Sequence, residues 1–192
     1  MKALVIALSI LFLLACERED TQQFISTDIT GASFAKNFQI TDQLGSKRTL
    51  SDFRDKVVVV FFGYTQCPDM CPATMGILAE TMRLLGEDAA KVQVLFVTLD
   101  PEQDTPEVLK QYLSFFDTRF VGLTGDKLAI NTIVEEFKVY SSHQEKKNGG
   151  HSVDHSTGTY LFDTKGNIRL YVSYGSGEQV FLHDIKALLE TT

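Results

Sequence analysis

The chain is predicted to fold as one α/β domain, a central mixed sheet flanked by helices, and three observations predict it. Residues 57–62 form an unbroken β-branched and aromatic run, and residues 92–99 nearly repeat it, the pattern of strands buried on both faces. Apolar residues recur at helical spacing between and after these runs. The chain has 192 residues, 44% of them hydrophobic, enough for one core of ordinary domain size.

Residues 17–33 are polar and read as a tether, so the domain is placed from Phe34 to the end, over 34–192. After the first strand, Met75, Leu78, Met82 and Leu85 mark a helix that stops at Gly86, a residue suited to the left-handed position past a helix end. After the second strand, Asp104-Thr105-Pro106 opens another helix with proline in its first position, and Val108, Leu109, Tyr112, Leu113 and Phe116 form its apolar stripe. Ile130, Ile133, Val134 and Phe137 mark a third helix, with Asp126 as its cap. A short strand is expected near Val139, and residues 141–154 read as an exposed polar loop with Gly149-Gly150 in it. Residues 157–163 and 168–174 then alternate as a hairpin around Thr164-Lys165-Gly166-Asn167, and a last helix covers 178–189. Strand-helix-strand followed by hairpin-helix is the plan of a thioredoxin-like fold.

The formal charge is −7, from 18 basic and 25 acidic residues, which excludes a phosphate-backbone binder and with it nucleic acid as a partner. Residues 1–15 carry one charge, Lys2, before an apolar run that ends in Ala15. A bilayer span needs ~20 apolar residues, so the run suits an export signal better than a membrane helix. Leu13-Leu14-Ala15-Cys16 resembles the lipobox of bacterial lipoproteins, which implies cleavage before Cys16, acylation of its thiol and a lipid anchor on the extracytoplasmic face of the envelope, the periplasm if Gram-negative. The plainer alternative is a secretory signal with Cys16 incidental.

Cys67 and Cys71 then remain, in Gly63-Tyr64-Thr65-Gln66-Cys67-Pro68-Asp69-Met70-Cys71-Pro72, between the first strand and the first helix. Chemistry in open α/β sheets sits at this end of the strands. With Pro72 as the first helical residue, Cys71 becomes the cap, and the helix end is expected to lower the thiol pKa and favour thiolate. Two sulfurs four residues apart on a stiff turn can converge as a disulfide, a metal pair or a redox couple. As a mere staple the disulfide is weak, since closing so short a loop contributes about 2 kcal/mol. Among the histidines, His155 stands out because it follows the polar loop and precedes the hairpin, in a connection that passes beside the first helix end in this plan. His143 and His151 read as solvated loop residues and His183 as a surface or packing residue. Asp100 reads as a strand-end carboxylate, and Asp154 as a candidate to orient His155.

Cys-Pro-Asp-Met-Cys-Pro at 67–72, Leu99-Asp100-Pro101 with Asp104-Thr105-Pro106-Glu107, Phe120-Val121-Gly122-Leu123-Thr124-Gly125 and Val153-Asp154-His155-Ser156 leading into Tyr160-Leu161 together resemble the Sco/SenC family of copper-binding thioredoxin-like proteins. The resemblance runs from about residue 34 to the end. It implies Cys67, Cys71 and His155 as copper ligands, and delivery of copper to the binuclear site of cytochrome c oxidase subunit II. The donor chemistry agrees: two thiolates and an imidazole suit copper(I) and accept copper(II), whereas structural zinc usually takes four protein ligands. The alternative is a thiol-disulfide oxidoreductase in which Cys67 and Cys71 are a redox-active pair that reduces a partner's copper-ligand cysteines. An inert interaction domain of the same fold is the third reading.

Overall fold

The computed structural model describes residues 24–145 and 151–191; the expected export signal over 1–15 and the expected acylation site Cys16 lie outside the described residues. In chain order the strands are β1 (Thr27–Asp28), β2 (Gln39–Asp42), β3 (Lys47–Thr49), β4 (Val57–Gly63), β5 (Val92–Thr98), β6 (Val121–Thr124), β7 (Ser141–Glu145), β8 (His151–His155), β9 (Thr159–Phe162) and β10 (Ile168–Val172). The helices are α1 (Met70–Leu84), α2 (Pro106–Ser114), α3 (Lys127–Glu136) and α4 (Glu178–Glu190). Eight strands form one mixed sheet in the order β1-β10-β9-β4-β5-β6-β2-β3, and β7 pairs with β8 as a separate ribbon. β4, β5 and β6 run parallel at the centre, while β9 and β2 flank them antiparallel.

Every residue of β4 is buried, as its unbroken apolar run requires. Alternate side chains face opposite layers. Phe61 meets Phe96 on the face that carries α1 and α2, while Phe62 meets Phe137, at the end of α3, on the other. α4 packs beside α1. The expected helix signals are in place: Thr105 accepts the Val108 N–H with Pro106 in the first position, Asp126 accepts the Ala129 N–H, and Gly86 takes φ +59 just past α1.

Four local expectations are corrected. α1 begins at Met70, so Asp69 is its cap, Cys71 its second residue and Pro72 its third. First-turn N–H groups have no partner within the helix, so proline is as acceptable there as at the first position. Val139 is not in a strand. Lys138 takes φ +55, and the N–H groups of Lys138 and Val139 bond back to Glu135 and Val134, which closes α3 with a left-handed turn.

The supposed loop after residue 140 is a two-stranded ribbon over its described residues, with Ser141 opposite His155 and Glu145 opposite His151. Its strands lie off the main sheet and carry little apolar burial, so the alternation that betrays a strand is absent. Residues 24–33, expected as tether, belong to the domain. β1 adds to β10, and the Ile25 and Ser26 N–H groups donate to the fully buried Asp184 carboxylate of α4 at 2.8 and 2.9 Å. These partners lie more than 150 residues away along the chain, where no local pattern reports them.

Candidate metal centre

β4 delivers the chain to the site at Gly63, and the next residues turn into α1. A Cβ on Gly63 would stand 2.9 Å from the Cys71 Sγ, so glycine there lets the sulfur lie against the strand end. The Cys67 N–H donates to the Tyr64 carbonyl at 3.2 Å, and the Cys71 N–H donates to the Cys67 Sγ at 3.5 Å. Both cysteines are free thiols; Cys71 is fully buried, whereas Cys67 keeps 8% of its surface at the mouth of a cleft of about 460 Å³. Pro68, Met70, Val153 and His155 line that cleft with Cys67 and Tyr64.

His155 ends β8 and enters the site from the ribbon. Its Nδ1 lies 2.8 Å from the Ser156 carbonyl oxygen. A carbonyl only accepts, so Nδ1 carries the proton and Nε2 presents a bare lone pair. That Nε2 stands 3.9 Å from the Cys71 Sγ. The ring is held edge-on between Tyr64 and Phe61, with centroids 6.2 and 6.5 Å away. Orientation of the imidazole, expected from Asp154, thus comes from the Ser156 carbonyl and two aromatic walls.

Burial decides the protonation of the two facing donors. It pushes the Cys71 thiol well above its ordinary value, with the neighbouring Cys67 and Asp104 adding to the shift and only a backbone hydrogen bond with Tyr64 opposing it. The expected helix-end activation of this thiol is therefore overturned, because desolvation outweighs a partial charge at the helix terminus. Burial lowers the His155 pKa, against the opposing effects of the Ser156 bond and Asp154, and keeps the imidazole neutral.

One ion bound to a thiolate at about 2.3 Å and an imidazole at about 2.0 Å separates the two donors by roughly 3.5–3.8 Å at ordinary bond angles. Cys71 and His155 already stand near that separation, so this half of the donor set fits a soft cation. Among the described residues no three histidine, cysteine, aspartate or glutamate side chains form a closed cage. Cys67 lies beside this pair, its Sγ accepting the Cys71 N–H.

The other sequence candidates lie elsewhere. Asp100 and His143 line a separate cleft of about 410 Å³ with Glu102, Lys127 and Glu145. His183 is exposed and contacts Asp184 at 3.0 Å. His151 lies in β8, and its side chain falls outside the described residues. The residue that sequence reasoning missed is Asp104, whose carboxylate is fully buried below the cysteine turn and accepts from Thr65 and Thr98. Its place in Asp-Thr-Pro reads as part of a helix opening, yet Thr105 is the cap.

Residues 26–190 match the SCO1/SenC family. An SCO2-like protein of Rickettsia conorii is 33% identical over 132 residues, which are 68% of this chain and 64% of that protein, so the match spans less than two thirds of that relative's length. Bradyrhizobium japonicum ScoI, solved with copper bound, is 37% identical with a TM-score of 0.74 over 80% of this chain and 98% of that one. A SCO1/SenC family lipoprotein of Bacillus anthracis is 30% identical with a TM-score of 0.67, over 79% of this chain and 92% of that one. The fold agrees with these solved relatives, and the chain belongs to the SCO1/SenC family.

Proposed function

We propose that the protein is an extracytoplasmic copper carrier that holds one copper ion on Cys67, Cys71 and His155 and passes it to a copper-accepting protein. The observation that carries this reading is the 3.9 Å approach of the His155 Nε2 to the Cys71 Sγ, with Cys67 beside them at an open cleft. Copper is cargo here. Two thiolates and an imidazole favour the soft cuprous ion and leave a coordination position for an incoming ligand. Transfer then proceeds by ligand exchange: a recipient donor enters from the cleft, where Cys67 and the half-buried His155 are met first, and the fully buried Cys71 releases last. The copper-bound Bradyrhizobium relative supports copper as the cargo.

By the family resemblance, the recipient is the binuclear copper site of cytochrome c oxidase subunit II. Residues 1–15 act as an export signal and Cys16 as the acylated anchor, a reading supported by the lipoprotein relative from Bacillus anthracis. Residues 17–23 then remain as the tether between Cys16 and the folded domain.

Anaerobic copper(I) titration of the purified protein and of Cys67→Ala, Cys71→Ala and His155→Ala tests the assignment. One equivalent should bind to the wild type, with affinity falling in all three variants. Full affinity in His155→Ala would overturn the ligand set. A second reading is favoured by one observation: a free thiol at the cleft mouth lies next to a fully buried one, as in a dithiol that attacks and then resolves a mixed disulfide. Under that reading His155→Ala spares thiol-disulfide exchange with an oxidised partner.

A further inference from the structure

Asp104 lies on the loop between β5 and α2, and its side chain is completely buried. Its Oδ2 accepts the Thr65 N–H at 3.0 Å and the Thr98 hydroxyl at 2.6 Å, and its Oδ1 accepts the Thr65 hydroxyl at 2.5 Å. None of these partners is a cation. A buried carboxylate without a counter-charge is costly, and helix capping does not explain it, because Thr105 caps α2. Asp104 is itself tied to the sheet: its carbonyl accepts the Thr124 hydroxyl at 3.3 Å, and its N–H donates to the Asp100 carbonyl at 2.8 Å.

What the carboxylate holds is Thr65, and both halves of the metal centre depend on that position. Tyr64 precedes it. The Tyr64 carbonyl receives the Cys67 N–H, which sets the turn that carries the sulfurs. The Tyr64 ring stands edge-on against His155, and its hydroxyl pairs with the Val153 backbone of β8, which sets the imidazole. A shift at Thr65 therefore moves the sulfur side and the nitrogen side together.

We propose that Asp104 is the positioning residue of this centre, and that its buried carboxylate holds the cysteine turn and the His155 wall in register on the ends of β5 and β6. The proposal rests on the copper-carrier reading for its consequence but not for its geometry. Removing a group that orients metal ligands typically costs 10–100-fold in metal affinity. Asp104→Ala should weaken copper(I) binding by at least about tenfold, measured by competition with a chromophoric chelator well below its melting temperature. Asp104→Asn removes the charge but retains an oxygen acceptor for Thr65, so it should keep most of the affinity.

Wild-type affinity in a natively folded Asp104→Ala protein would overturn the proposal. So would an Asp104→Asn loss as large as that of alanine, which would point to charge in place of position. If Asp104→Ala does not fold, Thr65→Val, which deletes one arm of the contact, carries the same test: reduced affinity supports the proposal and wild-type affinity overturns it. If the wild type binds no copper, the carrier reading fails by itself. Asp104 is then judged by the Cys67–Cys71 dithiol-disulfide equilibrium in glutathione buffers, where Asp104→Ala should shift the constant several-fold and Asp104→Asn should not, and an unchanged constant in Asp104→Ala would overturn the positioning role.

Discussion

Burial sets opposite requirements on the residues that meet at the centre. Cys71 is kept as a thiol and must lose its proton when a metal binds, whereas His155 is already neutral and loses none. Copper(I) affinity should therefore rise with pH, by about tenfold per pH unit for the Cys71 proton alone. Apparent dissociation constants measured across neutral pH check this, and a flat profile would exclude Cys71 as a donor. Gly63 is the second sensitive residue. Gly63→Ala forces a methyl group to 2.9 Å from the Cys71 Sγ and from Phe61, an overpacking that should cost about 1–3 kcal/mol in urea unfolding and lower copper affinity as well. Both cysteines were legible from spacing and position after a strand. Asp104 was not, since a buried carboxylate has no local signature and its partners Thr65 and Thr98 come from other strand ends.

At the scale of elements, the long central pieces followed from pattern and the edges did not. β4 and β5 announce themselves by apolar runs, whereas β1 is short and exists through pairing with the distant β10, and β3 and the ribbon are polar strands that pair with near neighbours in the chain without an apolar alternation to mark them. β1 supplies a direct test. Burial pushes the Asp184 pKa up, but hydrogen bonds from Ser26, Ile25 and His183 outweigh it and hold the carboxyl below its ordinary 3.8. A carboxylate whose folded pKa is depressed stabilises the fold above its unfolded pKa, and that contribution is lost as pH falls through the lower folded value. Asp184→Ala should cost about 3 kcal/mol at neutral pH, from two backbone N–H groups left without their charged acceptor. Hydrogen exchange at Ile25–Asp28 should accelerate at the same time. The wild-type advantage over Asp184→Ala should shrink on acidification below about pH 4. An unchanged urea midpoint would mean that β1 is held by the sheet alone.

Over the whole molecule, the approach of His155 to Cys71 joins the β4–α1 turn to the ribbon, two segments that the chain itself links through α1, β5, α2, β6 and α3. A ligand that binds only the folded state stabilises it, by about 2.7 kcal/mol at a free concentration one hundred times its dissociation constant. For a chain of this size copper(I) should therefore raise the melting temperature by about 5–11 °C. The shift should vanish in His155→Ala, and calorimetry with and without copper measures it. The sequence by itself determined the α/β class, the two central strands, three helix caps or stops and the cysteine turn, because each is written in contiguous residues through apolar period, cap chemistry or spacing. Tertiary structure alone decided that His155 reaches Cys71, that residues 24–33 join the domain, and that Cys71 is a buried thiol where helix-end activation was expected. Those outcomes depend on desolvation and on contacts between segments remote in sequence, and neither quantity has a value until the chain has closed around it.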